Sequence, residues 1–137
     1  MPDAIRNSER LLIRASGDVV AVRQAVRACA VQLGFGLVDQ TKIVTAASEL
    51  ARNTLVHGGG GWMDLEIVEQ PGRKGLRLTF EDRGRGIPDV NLALKDGYST
   101  SNGLGLGLGG ARRLCNEFEI SSAPGEGTRV TITRWNL

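Results

Sequence analysis

Glu49 and Asn53 stand four residues apart in a stretch whose apolar members, Ile43, Val44, Ala47, Leu50, Ala51 and Leu55, recur at helical spacing. That spacing stacks a carboxylate and an amide on one face of a helix, clear of the stripe that meets the core. Such a pair presents hydrogen-bond acceptors and an amide donor side by side, away from that stripe. A solvated face with Glu49 paired to Arg52 at i+3 accounts for the same residues without any chemistry. Asp82 makes a second candidate. It follows Leu76, Leu78 and Phe80 at steps of two, so a strand would turn its carboxylate to the side of three core residues. A charge placed there costs several kcal/mol unless partnered, so it calls for a hydrogen-bond donor. The alternative is a frayed strand end where Asp82 caps a turn.

Glycines accompany these side chains. Gly84 and Gly86 allow close backbone approach or positive φ just after Asp82. Gly103, Gly105, Gly107, Gly109 and Gly110 form a richer loop. The run Gly105-x-Gly107-x-x-Gly110 satisfies a dinucleotide fingerprint, but that fingerprint must follow a strand, and here it follows the turn-forming stretch Asp96 to Asn102. No Gly-Lys-Ser/Thr closes the loop, which excludes a Walker site. What remains is a glycine hinge leading into a helix whose first N–H groups can receive phosphate oxygens. Gly125-Glu-Gly127-Thr128 by itself reads as a turn between strands. His57, the single histidine, falls at the end of the Glu49 helix, where capping explains it.

The elements that must carry these residues follow from periodicity. Leu11 to Ala15 predicts a short strand, and Asp18 caps a helix through Val19, Val22, Val26, Cys29, Ala30 and Leu33. A second helix is expected from near Asp39 to His57, stopped by Gly58 to Gly61. Period-two alternation through Met63, Leu65, Ile67 and then Leu76, Leu78, Phe80 predicts a hairpin with one buried face. A loop-rich stretch spans Asp82 to Asn102, a helix runs from about Leu106 to Asn116, and strands cover Phe118 to Ser122 and Thr128 to Trp135. Strands in runs, not in strict alternation with helices, give an α+β class. The expected architecture is a two-layer α/β sandwich, its sheet mixed but mostly antiparallel, with helices on one face.

A chain of 137 residues suffices for a single domain, 1–137, with one core. With 41% hydrophobic and 4% aromatic residues that core is mainly aliphatic, and disorder is excluded. A net charge of +2, with no basic run interleaved with aromatics, argues against nucleic acid as a partner. Cys29 and Cys115 lack metal or redox spacing and read as buried thiols on helical segments in a reducing compartment. The polar stretch from Met1 to Arg10 contains neither a signal peptide nor a membrane span, so the protein is expected in the cytoplasm, with no membrane partner.

Four segments in fixed order, Glu49-Leu-Ala-Arg-Asn53, Asp82-Arg-Gly84-Arg-Gly86, Gly103-Leu-Gly105-Leu-Gly107 and Gly125-Glu-Gly127-Thr128, resemble the nucleotide site of the GHKL superfamily and its Bergerat ATP-binding fold. Within it the chain resembles the small bacterial serine/threonine-protein kinases of the stressosome-switch type. That likeness extends to Gly34-Phe-Gly-Leu-Val-Asp-Gln40, Glu81 to Pro88 and Asp96 to Ser101. The resemblance implies ATP and Mg²⁺ as cofactors, with Glu49 as the base, Asn53 holding Mg²⁺, and Asp82, assisted by Thr128, recognising the 6-amino group of adenine. By the same likeness Gly84, Gly86, Ile87, Gly103, Gly105 and Gly107 belong to the nucleotide site. It implies transfer of the γ-phosphate to a STAS-domain antagonist in a sigma-factor partner-switching pathway, with a PP2C-type phosphatase as a further partner. Two alternatives stay open: an anti-sigma factor kinase that grips a sigma factor, and a non-catalytic nucleotide-dependent switch that activates a phosphatase. Related anti-sigma kinases place an arginine just before the glycine loop where this chain has Ser101 and Asn102, so charge stabilisation from the lid has no assigned residue.

Overall fold

The computed structural model describes residues 4–95 and 107–136, in the order β1 (Ala4–Ile13), α1 (Ser16–Gln32), α2 (Leu37–Val56), β2 (Gly61–Gln70), β3 (Arg73–Asp82), α3 (Val90–Ala93), α4 (Gly107–Arg113), β4 (Glu117–Ser122) and β5 (Thr128–Asn136). The strands form one five-stranded sheet in the order β1-β2-β3-β5-β4, and all four pairings are antiparallel. No parallel pair occurs among the described residues, so the mixed sheet of the sequence reading becomes a purely antiparallel one. For β2–β3 and β4–β5 the short hairpin connections enforce this, because they leave no length for a parallel crossover.

Helices α1 and α2 lie on one face. Val22, Val26 and Ala30 of α1 and Ile43, Ala47, Leu50 and Ala51 of α2 meet Ile13, Met63, Leu65, Leu76, Leu78, Phe80, Val130 and Ile132 of the sheet in one core. At the start of α1, Asp18 acts from inside the helix: its Oδ2 accepts the Arg14 and Ala15 N–H groups at 2.8 and 3.1 Å. The helix therefore begins at Ser16, two residues before the expected cap.

The opposite face carries its own small cover. Gly75 is the register partner of both Val68 and Trp135. A Cβ on Gly75 would stand 2.7 Å from Trp135 Cε3, so glycine lets the indole lie flat on the strand. Arg73 then stacks on that indole, 3.9 Å from guanidinium to ring centroid, and Val68 is fully buried.

Three elements depart from periodicity. Strand β1 starts at Ala4, seven residues before the expected Leu11, because its polar residues pair with β2 along a sheet edge where alternation carries no signal. A short helix, α3, interrupts the expected loop: Asp89 follows Pro88 and its Oδ1 caps the Leu92 N–H at 3.0 Å. Helix α4 ends at Arg113, short of Asn116, because the Asn116 N–H is taken by the Thr133 carbonyl of β5 at 3.0 Å. Cys115 consequently lies beyond the helix and is half-buried, and Cys29 is buried inside α1. No helix among the described residues is long and apolar enough to cross a membrane.

Candidate active site

Register builds the floor of the site. Ile13, Gly61, Asp82, Thr128 and Ser122 are successive cross-strand partners, one row spanning all five strands. Asp82 continues the step of two from Leu76, Leu78 and Phe80, and it ends up only 8% exposed, so the carboxylate is buried as the alternation required. Its Oδ1 accepts the Gly84 N–H at 2.9 Å, and the Thr128 N–H also donates to the carboxylate. Burial nonetheless pushes the Asp82 carboxyl above the ordinary range, against the pull of the Gly84 and Thr128 amides; the neighbouring Glu81 adds to the rise and His57 opposes it.

Glycine makes room around this carboxylate. A side chain on Gly58 would strike the Asp82 carboxyl, and one on Gly127 would strike the Asp82 carbonyl oxygen. Gly84 packs on Gly58, where a Cβ would come within 2.7 Å of the Gly58 Cα, and it does not line the cavity. Gly86 does line it, with φ +76° and its Cα pressed toward the Ala123 carbonyl.

Above the row lies a cavity of about 400 Å³. Glu49 and Asn53 border it from α2 and His57 from the cap that follows, Asp82 and Thr128 from the sheet, Gly86 and Ile87 from the segment after β3, and Gly107 from the start of α4. Leu50, Phe80, Leu92, Leu108 and Val130 supply apolar wall. The helical spacing of Glu49 and Asn53 thus delivers both to the space that Asp82 borders. The bland reading of Glu49 is also present, since Arg52 Nη1 contacts its Oε1 at 3.3 Å; its Oε2 accepts the Gly107 N–H at 3.3 Å. His57 is the C-cap of α2, its N–H donating to the Asn53 carbonyl at 3.0 Å, and it borders the cavity as well. Gly103 and Gly105, with Ser101 and Asn102, lie outside the described residues.

Sequence reading passed over Ser122. Its Oγ accepts the Ile87 N–H at 2.8 Å, donates to the Gly127 carbonyl at 2.8 Å and meets Thr128 Oγ1 at 2.9 Å. The signal was available: Ser122 follows Phe118 and Ile120 at steps of two, the logic that singled out Asp82. Arg85, Asp89 and Leu92 also border the cavity without having been expected there.

These residues fit an adenine nucleotide: a largely apolar cavity with a few convergent polar groups, one of them a buried carboxylate able to accept from an amine. For a cation the donors are sparse. Among the described residues no group of three or more His, Cys, Asp or Glu could hold a metal; the oxygen donors that border the cavity include the Asn53 amide and the Glu49, Asp82 and Asp89 carboxylates. One or two protein oxygens suit Mg²⁺ carried on substrate phosphates.

Comparison with known proteins gives the family. The family model described as "Histidine kinase-, DNA gyrase B-, and HSP90-like ATPase" matches residues 38–136, and the chain belongs to that family. It is 49% identical over 123 residues to the serine/threonine-protein kinase RsbT of Bacillus subtilis (strain 168), covering 90% of this chain and 92% of the relative. An anti-sigma F factor of Thermoanaerobacter sp. (strain X514) is 30% identical over 118 residues, 82% of each chain. A crystal structure of RsbU and RsbW domains from Mycobacterium tuberculosis shares the fold at a TM-score of 0.65 and 22% identity, across 94% of this chain and 32% of that one. The chain is an ATP-dependent serine/threonine-protein kinase built on this ATPase module.

Proposed function

We propose that the kinase transfers the γ-phosphoryl group of ATP to a serine or threonine hydroxyl of a STAS-domain partner, within a partner-switching pathway that governs a sigma factor. The single observation that carries the site reading is the meeting of Glu49 and Asn53 from α2 with the buried Asp82 of β3 around one cavity. Asp82 accepts from the base amine and thereby sets the nucleotide's orientation. Asn53 offers its amide oxygen toward the phosphates, and Glu49 takes the proton of the incoming hydroxyl. Bound ATP with Mg²⁺ supplies the phosphoryl group and the charge neutralisation that its transfer needs. Leu50, Ile87 and Leu92 exclude water from the base.

Phosphoryl transfer asks mainly for positioning, so a small module suffices once its protein substrate docks. The kinase relative and the anti-sigma relatives support a sigma-factor setting, in which a PP2C-type phosphatase is the other partner. The cytoplasm, which keeps both free cysteines reduced, is the compartment of this reading. The test is incubation of the full chain with labelled ATP, Mg²⁺ and a purified STAS-domain protein. Label on the partner that disappears for Glu49→Gln supports the proposal. Nucleotide binding without any transfer would replace it with a non-catalytic switch.

A further inference from the structure

A hydroxyl carries one proton and two lone pairs. Ser122 Oγ has three neighbours: the Gly127 carbonyl oxygen at 2.8 Å, the Ile87 amide nitrogen at 2.8 Å and Thr128 Oγ1 at 2.9 Å. The carbonyl can only accept, so the Ser122 proton points to Gly127. The Ile87 amide can only donate, and it takes one lone pair. The other lone pair is left for the Thr128 proton. Thr128, which lines the cavity, is thereby left with lone pairs alone to offer a ligand. Its register partner Asp82 is a carboxylate and likewise accepts.

We propose that Ser122 is a specificity-determining residue: by holding the Thr128 proton out of the cavity, it makes the Asp82–Thr128 stretch of wall accept hydrogen bonds only, and so selects a base bearing an exocyclic amino group. The inference rests on the adenine-nucleotide reading of the site and adds to it the residue that sets the polarity of base recognition. Ser122 acts through Thr128 and, by the Ile87 N–H, also holds the segment that borders the base. Its hydroxyl is fully engaged by protein groups, so it is a positioning residue without ligand contact.

The test measures binding of ATP and of purine riboside triphosphate, which lacks only the 6-amino group, by calorimetry on the full chain. Wild type should favour ATP by roughly tenfold, the worth of one good hydrogen bond. Ser122→Ala leaves the Asp82 acceptor in place but frees the Thr128 hydroxyl to turn its proton into the cavity, where it can serve a base that lacks the amine, and should lower the preference by a measurable part, whereas Ser122→Thr, which keeps a hydroxyl, should retain it. In a Thr128→Val background Ser122→Ala should change the preference no further, since its effect runs through Thr128. An unchanged preference in Ser122→Ala, or an equal further loss in the Thr128→Val background, overturns the proposal and leaves the nucleotide site standing. Wild type that binds neither nucleotide overturns the site reading and this inference with it. Should Ser122→Ala fail to fold by circular dichroism, Thr128→Val alone must still lower the preference, and an unaltered ratio there overturns it.

Discussion

The Glu49 carboxylate of α2 accepts a hydrogen bond from the Gly107 N–H at the start of α4, at 3.3 Å, so the candidate base and the last glycine of the loop motif are in direct contact. Its other oxygen meets Arg52, also at 3.3 Å. Both contacts are long and exchange readily for a substrate hydroxyl. Glu49→Gln should therefore lower phosphoryl transfer by about 10²- to 10⁴-fold, the usual worth of a general base. ATP affinity should change little. A matching loss of affinity, measured by titration, would make Glu49 a nucleotide-holding residue instead.

Asp82→Asn should weaken ATP binding by about 1 to 3 kcal/mol, as expected for loss of a hydrogen bond to a charged acceptor. Unchanged affinity would remove Asp82 from the base site.

The raised Asp82 carboxyl gives binding and folding opposite pH trends. Since the native state holds this proton more tightly than the unfolded chain, the contribution of Asp82 to stability is most favourable at low pH and declines as pH rises from the ordinary carboxyl range through the raised native value. ATP needs the ionised acceptor, so affinity should be full above the native value and fall as pH drops below it. Calorimetry across pH should show this component in wild type and not in Asp82→Asn. Parallel pH profiles for the two proteins would contradict it.

Asn53→Ala should depress Mg²⁺-dependent transfer far more than it lowers the melting temperature, because Asn53 is half-buried at the cavity and outside the apolar core. Equal loss of both would identify a structural asparagine.

Gly86→Ala places a side chain at φ +76° and drives it onto the Ala123 carbonyl. The backbone term alone costs about 1 to 2 kcal/mol. Thermal unfolding should show a clear drop in melting temperature, and an unaltered midpoint would mean that the 86–88 segment repacks freely.

Much of this protein was legible along the chain. The steps of two through Leu76, Leu78, Phe80 and Asp82 placed a carboxylate against the core, and the i, i+4 spacing of Glu49 and Asn53 placed both on one helix face, because side-chain direction follows from local backbone geometry. The first seven residues of β1 were illegible, since an edge strand of polar residues takes its conformation from its partner's hydrogen bonds and not from its own pattern. Motif order alone suggested a shared site, but only the register aligning Gly61, Asp82, Thr128 and Ser122 decided which atoms meet. Local spacing determines which way a side chain points. What it points at depends on strands brought together from distant parts of the chain, and the Ser122–Thr128 contact exists only once β4 and β5 have paired.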